Sequence, residues 1–133
     1  MGLEAYFDKP VLVADDLSNM RTDLVKILKA LGFTNIKEVQ DGMEAWDELR
    51  SEAQYGVPYE IIFTDINMPQ MDGIALLKAL RFLDAYKTTP IFIVSTETEK
   101  NTILKAILEG ATDYIIKPYR PEVVREKIMK KLK

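Results

Sequence analysis

Five short apolar runs punctuate the chain, at Val11–Ala14, Ile36–Val39, 61–63, 91–94 and 114–116. Most are continuous rather than alternating, the pattern of strands covered by helices on both faces. Between them, apolar residues recur at helical spacing. Met20, Leu24, Ile27, Leu28 and Leu31 form one stripe, and Gly32 stops it. Asp41 is placed to cap a second helix, Glu44 completes a capping box, and Met43, Trp46 and Leu49 make its apolar face. A third helix begins near Ile74 and turns Leu77 and Leu80 inward. A fourth carries Ile103 and Ile107 and ends at Gly110. A fifth has Pro121 in its first turn and Val124, Ile128 and Leu132 along its stripe, although Arg120 is a poor residue for its N-cap. The pattern is (βα)5, an α/β domain built on a parallel sheet. Pro58, Pro69, Pro90, Pro118 and Pro121 fall between elements or at their starts. No stretch reads as a linker or repeat, so a single domain over 1–133 with no output domain is expected.

Sites in open parallel sheets form beyond the carboxyl ends of the strands. Asp15 and Asp16 follow the first run, Asp65 and then Asn67 the third, Ser95, Thr96 and Glu97 the fourth, and Lys117 and Pro118 the fifth. Each feature alone has an ordinary reading: an Asp pair as a turn or cap, Ser95 as a loop hydroxyl, Lys117-Pro118 as surface punctuation. Together they crowd carboxylates, a hydroxyl and an ammonium onto one edge. Crowded carboxylates repel one another and lose hydration, and a divalent cation removes that conflict.

Composition narrows the chemistry. The 133 residues include no cysteine and no histidine. Disulfides, thiolate metal sites, imidazole ligands and histidine acid–base catalysis are therefore excluded within the chain. Any metal must be held by oxygen, which points to Mg²⁺, Ca²⁺ or Mn²⁺. The net charge of −3 gives no reason to expect nucleic-acid binding. No apolar run approaches a membrane span, and the start has no signal-peptide pattern, so a cytoplasmic location is expected. Beside an oxygen-bound cation, Lys117 can neutralise a phosphoryl oxygen and Ser95 can donate to another. Phosphoryl transfer needs mainly positioning and charge neutralisation, and a carboxylate can serve as its nucleophile.

These residues carry a resemblance. The blocks Val13-Ala14-Asp15-Asp16, Asp65-Ile66-Asn67-Met68-Pro69 through Asp72-Gly73, Val94-Ser95-Thr96-Glu97, Gly110 to Tyr114, and Lys117-Pro118 occur in order over nearly the whole chain. The sequence resembles the response-regulator receiver domains, and among them the single-domain chemotaxis type. The resemblance implies a doubly wound, flavodoxin-like sheet of strand order 2-1-3-4-5. It implies phosphorylation of Asp65 by a histidine kinase, with Mg²⁺ (Mn²⁺ able to substitute) on Asp16, Asp65 and the backbone carbonyl of Asn67, and Asp15 acting mainly through water. Lys117, joined to Pro118 by a cis bond that would aim it into the site, would contact the phosphoryl group, and Ser95 would swing toward it. Tyr114 would turn inward as the switch aromatic and remodel the face of helix 4, strand 5 and helix 5. Asn67 and Glu97 would flank the attacking water, whereas Thr96 replaces the small residue usual in the family and bears on phosphoryl lifetime.

The same resemblance implies a monomer that meets a kinase through Asn19, Thr22, Asp23 and Lys26 of the first helix. Its output partner would be one such as the flagellar motor switch, with an auxiliary phosphatase beside it. Arg125, Lys127, Lys130, Lys131 and Lys133 read either as cations complementing a helix C-terminus or as a dock for an acidic partner. Passing phosphate onward to a histidine phosphotransfer protein is the alternative within the family. Outside it stand an aspartate-nucleophile phosphatase, which would carry Asp where this chain has Asn67, and a flavodoxin-like cofactor binder, whose first loop would be rich in Ser, Thr and Gly where this chain has Asp15-Asp16.

Overall fold

The computed structural model describes residues 2–132; Lys133, counted above among the cations of the last helix, lies outside them, as does Met1. Five strands, β1 (Val11–Ala14), β2 (Ile36–Val39), β3 (Ile61–Asp65), β4 (Ile91–Ser95) and β5 (Asp113–Ile116), alternate with five helices. These are α1 (Ser18–Leu31), α2 (Gly42–Tyr55), α3 (Gly73–Arg81), α4 (Lys100–Leu108) and α5 (Pro121–Lys131). The sheet is parallel, in the order β2-β1-β3-β4-β5.

The continuous apolar runs are explained by two cores. Leu12, Ala14, Ile62, Ile93 and Tyr114 face the layer that holds Leu49, Leu76, Leu77, Leu80 and Ala106. Val11, Val13, Ile61, Phe63, Phe92, Val94 and Ile115 face the opposite layer, with Leu24, Leu28, Val124 and Ile128. Successive strand residues alternate between the layers, so both faces of a covered strand must be apolar. Phe63 and Phe92, opposite one another in register, stack with ring centroids 5.1 Å apart.

Two helix faces differ from the periodic reading. Met43 is exposed, because the buried stripe of α2 runs through Ala45 and Leu49. Met43 lies about 200° round the helix from Ala45. Ile107 is exposed together with Leu104 and Leu108, and only Ala106 of α4 is fully buried. The capping box of α2 forms one residue out of place: the Glu44 N–H donates to Asp41 Oδ1 (2.7 Å), while Glu44 Oε1 accepts from Gln40 N–H (2.7 Å). Arg120 caps α5 with no side-chain hydrogen bond, and Pro121 at the first turn leaves one fewer N–H to satisfy.

Chain order turns this fold into a site. From β1 the chain winds outward to β2, then returns to place β3 on the other side of β1. A crevice opens at such a switch point, beyond the carboxyl ends of the two strands. Ala14 pairs with Thr64, which brings Asp15 level with Asp65. Gly73 fixes that corner. A Cβ there would lie 1.9 Å from the Asp65 carbonyl oxygen, and the Gly73 N–H donates to the Ile66 carbonyl (2.8 Å). Gly73→Ala is therefore expected to cost about 2–3 kcal/mol, through displaced backbone beside Asp65. Urea unfolding checks this; an unchanged midpoint would show that the corner can yield freely.

Candidate functional site

Asp15 is fully buried, and Asp65, Ser95 and Lys117 are nearly so, while Asp16 is exposed. Each buried carboxylate spends one oxygen on local backbone. Asp15 Oδ1 accepts from Leu17 N–H (3.0 Å), and Asp65 Oδ1 accepts from Ile66 N–H (2.7 Å). The other oxygens face Lys117, whose Nζ lies 2.7 Å from Asp15 Oδ2 and 2.9 Å from Asp65 Oδ2. The Lys117 N–H donates to the Ser95 carbonyl (2.9 Å), and the Lys117-Pro118 bond is cis, as the resemblance implies.

Burial sets the electrostatics. It raises the pKa of the Asp65 carboxyl above the usual range, and the Lys117 contact only partly offsets this. For Lys117, burial acts downward, but the contacts with Asp15 and Asp65 prevail and hold its pKa above the ordinary lysine value. One buried ammonium thus serves two buried carboxylates, which leaves negative charge in excess.

A divalent cation fits that excess. One oxygen from each of Asp15, Asp16 and Asp65 falls within a cluster no more than 4.8 Å across. Asp15 Oδ2 is buried, and the Lys117 ammonium beside it is shared with Asp65. The donor set is all oxygen and partly open to solvent through Asp16, which suits Mg²⁺ and its retained waters.

Around this centre, Ser95 Oγ accepts from Glu97 N–H (3.1 Å). The Tyr114 ring is buried, and its hydroxyl donates to the Glu97 carbonyl (2.9 Å). Asn67, Thr96 and Glu97 are exposed at the rim. Beside Asn67 a cleft of about 680 Å³ opens between α3 and α4, bounded by Lys78, Asn101 and Lys105. Asn19, Thr22, Asp23 and Lys26 are exposed on α1. Among the cations of α5, Lys127 is already engaged: its Nζ donates to Asp113 Oδ1 (3.1 Å) and to the Tyr114 carbonyl (2.6 Å). That withdraws it from a free basic dock.

Two further residues escaped the sequence reading. Arg21 Nη1 donates to the Asp15 carbonyl (2.6 Å), and Nε pairs with Glu38 (3.1 Å), so α1 and β2 together hold the backbone of the acid pair. Its signal was an arginine one helical turn after Asp15-Asp16, in a helix where cations are otherwise unremarkable. Tyr119 has its hydroxyl buried without a partner. An aromatic after Lys-Pro reads as core, and nothing in its spacing marks the hydroxyl.

A family model described as the response regulator receiver domain matches residues 11–129. The chain belongs to the response-regulator receiver family, a family of signalling switches. Its likeness extends to the chemotaxis protein CheY1 of Helicobacter pylori, 36% identical over 118 residues that cover 89% of this chain and 92% of the relative. Among solved structures, CheY4 of Vibrio cholerae is 31% identical with a TM-score of 0.80, covering 94% of this chain and 99% of that one. A CheX–CheY–BeF₃–Mg²⁺ complex from Borrelia burgdorferi gives a TM-score of 0.83 at 26% identity, covering 98% of this chain and 93% of that one. The flavodoxin-like topology and strand order agree with the resemblance. Receiver domains bind Mg²⁺ at an Asp cluster of this kind, and the cluster is present here. A receiver implies a histidine kinase upstream and a target downstream. Among the described residues, no helix is long and apolar enough to cross a membrane.

Proposed function

We propose that this chain is a single-domain response regulator that accepts a phosphoryl group from a histidine kinase on Asp65 and signals through the face of α4, β5 and α5. The observation that carries the reading is the Lys117 ammonium held between the buried carboxylates of Asp15 and Asp65 at 2.7 and 2.9 Å. Lysine buried this way gains little as a fold-stabilising pair, since burying three charges costs heavily. It is well used where an anion is about to arrive.

An Asp65 carboxylate oxygen attacks phosphorus, the bond from phosphorus to the donor's imidazole nitrogen breaks, and an acyl phosphate forms. Asp16, Asp65 and the Asn67 carbonyl, with Asp15 acting through water, would hold Mg²⁺, or Mn²⁺ in its place, and the bound cation would supply charge neutralisation. Lys117 shifts from carboxylate to phosphoryl oxygen. Ser95 turns its hydroxyl toward another phosphoryl oxygen, and the inward Tyr114 ring then holds the remodelled face. Asn67, Thr96 and Glu97 at the rim govern how readily water removes the group, and that self-dephosphorylation is the chain's only other chemistry. An auxiliary phosphatase assists, a role consistent with the CheX complex of the Borrelia relative.

The curated relative's name favours chemotaxis and a flagellar-motor partner. The exposed Leu104, Ile107, Leu108 and Ile116 on α4 and β5 give such a partner apolar area. The protein acts as a cytoplasmic monomer. With Mg²⁺ and acetyl phosphate, its intact mass is expected to rise by one phosphoryl group, and chelation with EDTA is expected to prevent the rise. An unchanged mass with Mg²⁺, or an equal rise in EDTA, would overturn the proposal.

A further inference from the structure

Arg21 closes a ring of hydrogen bonds around the acid pair. Asp15 Oδ1 accepts from the Leu17 N–H (3.0 Å), the Leu17 carbonyl accepts from the Arg21 N–H (2.9 Å), and Arg21 Nη1 returns to the Asp15 carbonyl (2.6 Å). A second hold comes from β2, where the Val39 carbonyl accepts from the Asp15 N–H (3.1 Å). Glu38 of the same strand pairs with Arg21 Nε at 3.1 Å. The guanidinium is planar and rigid, so a partner on Nε also aims Nη1. The Arg21 side chain is 16% exposed and that of Glu38 44%. An ion pair this open to water adds little stability. What distinguishes Arg21 is its contact with the backbone of the acid pair.

We propose that Arg21 is a positioning residue of the metal site: by fixing the peptide that joins Asp15 to Asp16, it aims the Asp16 carboxylate into the cluster formed with Asp15 and Asp65. The inference rests on reading those three carboxylates as a Mg²⁺ site. A peptide group is planar, so holding its carbonyl oxygen also sets the direction in which the chain leaves toward Asp16. Asp15 has restraints of its own, being buried and bonded at both its N–H and Oδ1. Asp16 is exposed, and its placement depends on the backbone that carries it. One oxygen of each acid still falls within a cluster no more than 4.8 Å across. Mg²⁺ demands near-ideal octahedral geometry, whereas Ca²⁺ accepts flexible sites of varied coordination. A backbone held in this way favours the smaller ion. The charge of Arg21 works the other way, since a cation beside a cation site repels the metal. Position and charge therefore predict opposite signs when Arg21 is removed.

Arg21→Met keeps the stem and removes every donor, and Arg21→Lys keeps the charge without the fork. Mg²⁺ and Ca²⁺ titrations by calorimetry at fixed pH and ionic strength are paired with thermal unfolding in EDTA, which shows whether each variant is folded at the titration temperature. Arg21→Met is expected to bind Mg²⁺ about 10-fold more weakly and to lose much less affinity for Ca²⁺. Arg21→Lys is expected to lose Mg²⁺ affinity in the same direction although its charge is intact, and it carries the test should Arg21→Met not fold. In a folded variant, unchanged or tighter Mg²⁺ binding, or an equal loss for both ions, would overturn the role of Arg21 alone. Wild-type protein that takes up no Mg²⁺ would instead overturn the metal-site reading, and this inference with it.

Discussion

Lys117→Met leaves two carboxylates facing each other in the buried site, and the metal-free variant is expected to lose about 3 kcal/mol at neutral pH. Methionine keeps the length of the stem and removes the charge. Asp15 Oδ2 and Asp65 Oδ2, now 2.7 and 2.9 Å from an ammonium, would then have no cation between them. The loss depends on pH with a definite sign. Burial already raises the pKa of the Asp65 carboxyl in the folded state above its unfolded value. For such a group the folded state holds its proton more tightly, so stability falls as pH rises from the unfolded toward the folded pKa. Losing Lys117 widens that window, because the contact that partly offset the rise is gone. The variant is expected to approach wild-type stability in acid and to fall away toward neutral pH. Mg²⁺ should restore stability more in the variant than in the wild type, since binding to the folded state alone is stabilising. Uptake from acetyl phosphate should fall about 100-fold with the loss of a preplaced charge. Urea unfolding in EDTA across this pH range tests the claim; parallel curves for the two proteins would mean that Lys117 does not neutralise the pair.

Asp65→Asn is expected to accept no phosphoryl group and, in EDTA at neutral pH, to be more stable than the wild type. An amide lacks the nucleophilic oxygen, so the loss of uptake should be complete. The gain in stability has a separate cause. Ionised Asp65 is disfavoured in the fold, because desolvation outweighs its contact with Lys117. Asparagine is neutral and of similar size, its carbonyl can still accept from the Ile66 N–H, and Lys117 keeps Asp15. The advantage should vanish at acid pH, where the wild-type carboxyl is itself protonated. Melting curves at both pH values, with intact masses after acetyl phosphate, check the two halves. A less stable Asp65→Asn at neutral pH would show that the Lys117 pair repays the burial of Asp65. Acceptor sites can carry such a functional cost, as a group poised for reaction is held where the fold alone would not place it.

Asp15, Asp65, Ser95 and Lys117 were legible because each follows an apolar run, and parallel strands bring their carboxyl ends to one edge. Strand order was not readable from residues alone. Handedness leaves several orders open, and the order 2-1-3-4-5 came through the motif resemblance before the sheet bore it out. Helix faces were legible where a stripe was long, as in α1 and α5, where Leu24, Leu28, Val124 and Ile128 are all buried. They were misread at Met43 and Ile107, because hydrophobicity does not say which side of a helix its neighbours cover. Lys127 looked free because a sequence does not show the carboxylate of Asp113 beneath it. Arg21 acts through a backbone carbonyl, a contact that leaves no spacing pattern.

The central claim is that Asp65 itself carries the phosphoryl group. Borohydride reduces an acyl phosphate on aspartate to the alcohol of homoserine, and peptide mass mapping then finds the modified position. After treatment with acetyl phosphate and Mg²⁺, homoserine is expected at position 65. Homoserine at Asp15 or Asp16 instead, or a phosphoryl mass gain that leaves no reducible residue, would contradict it.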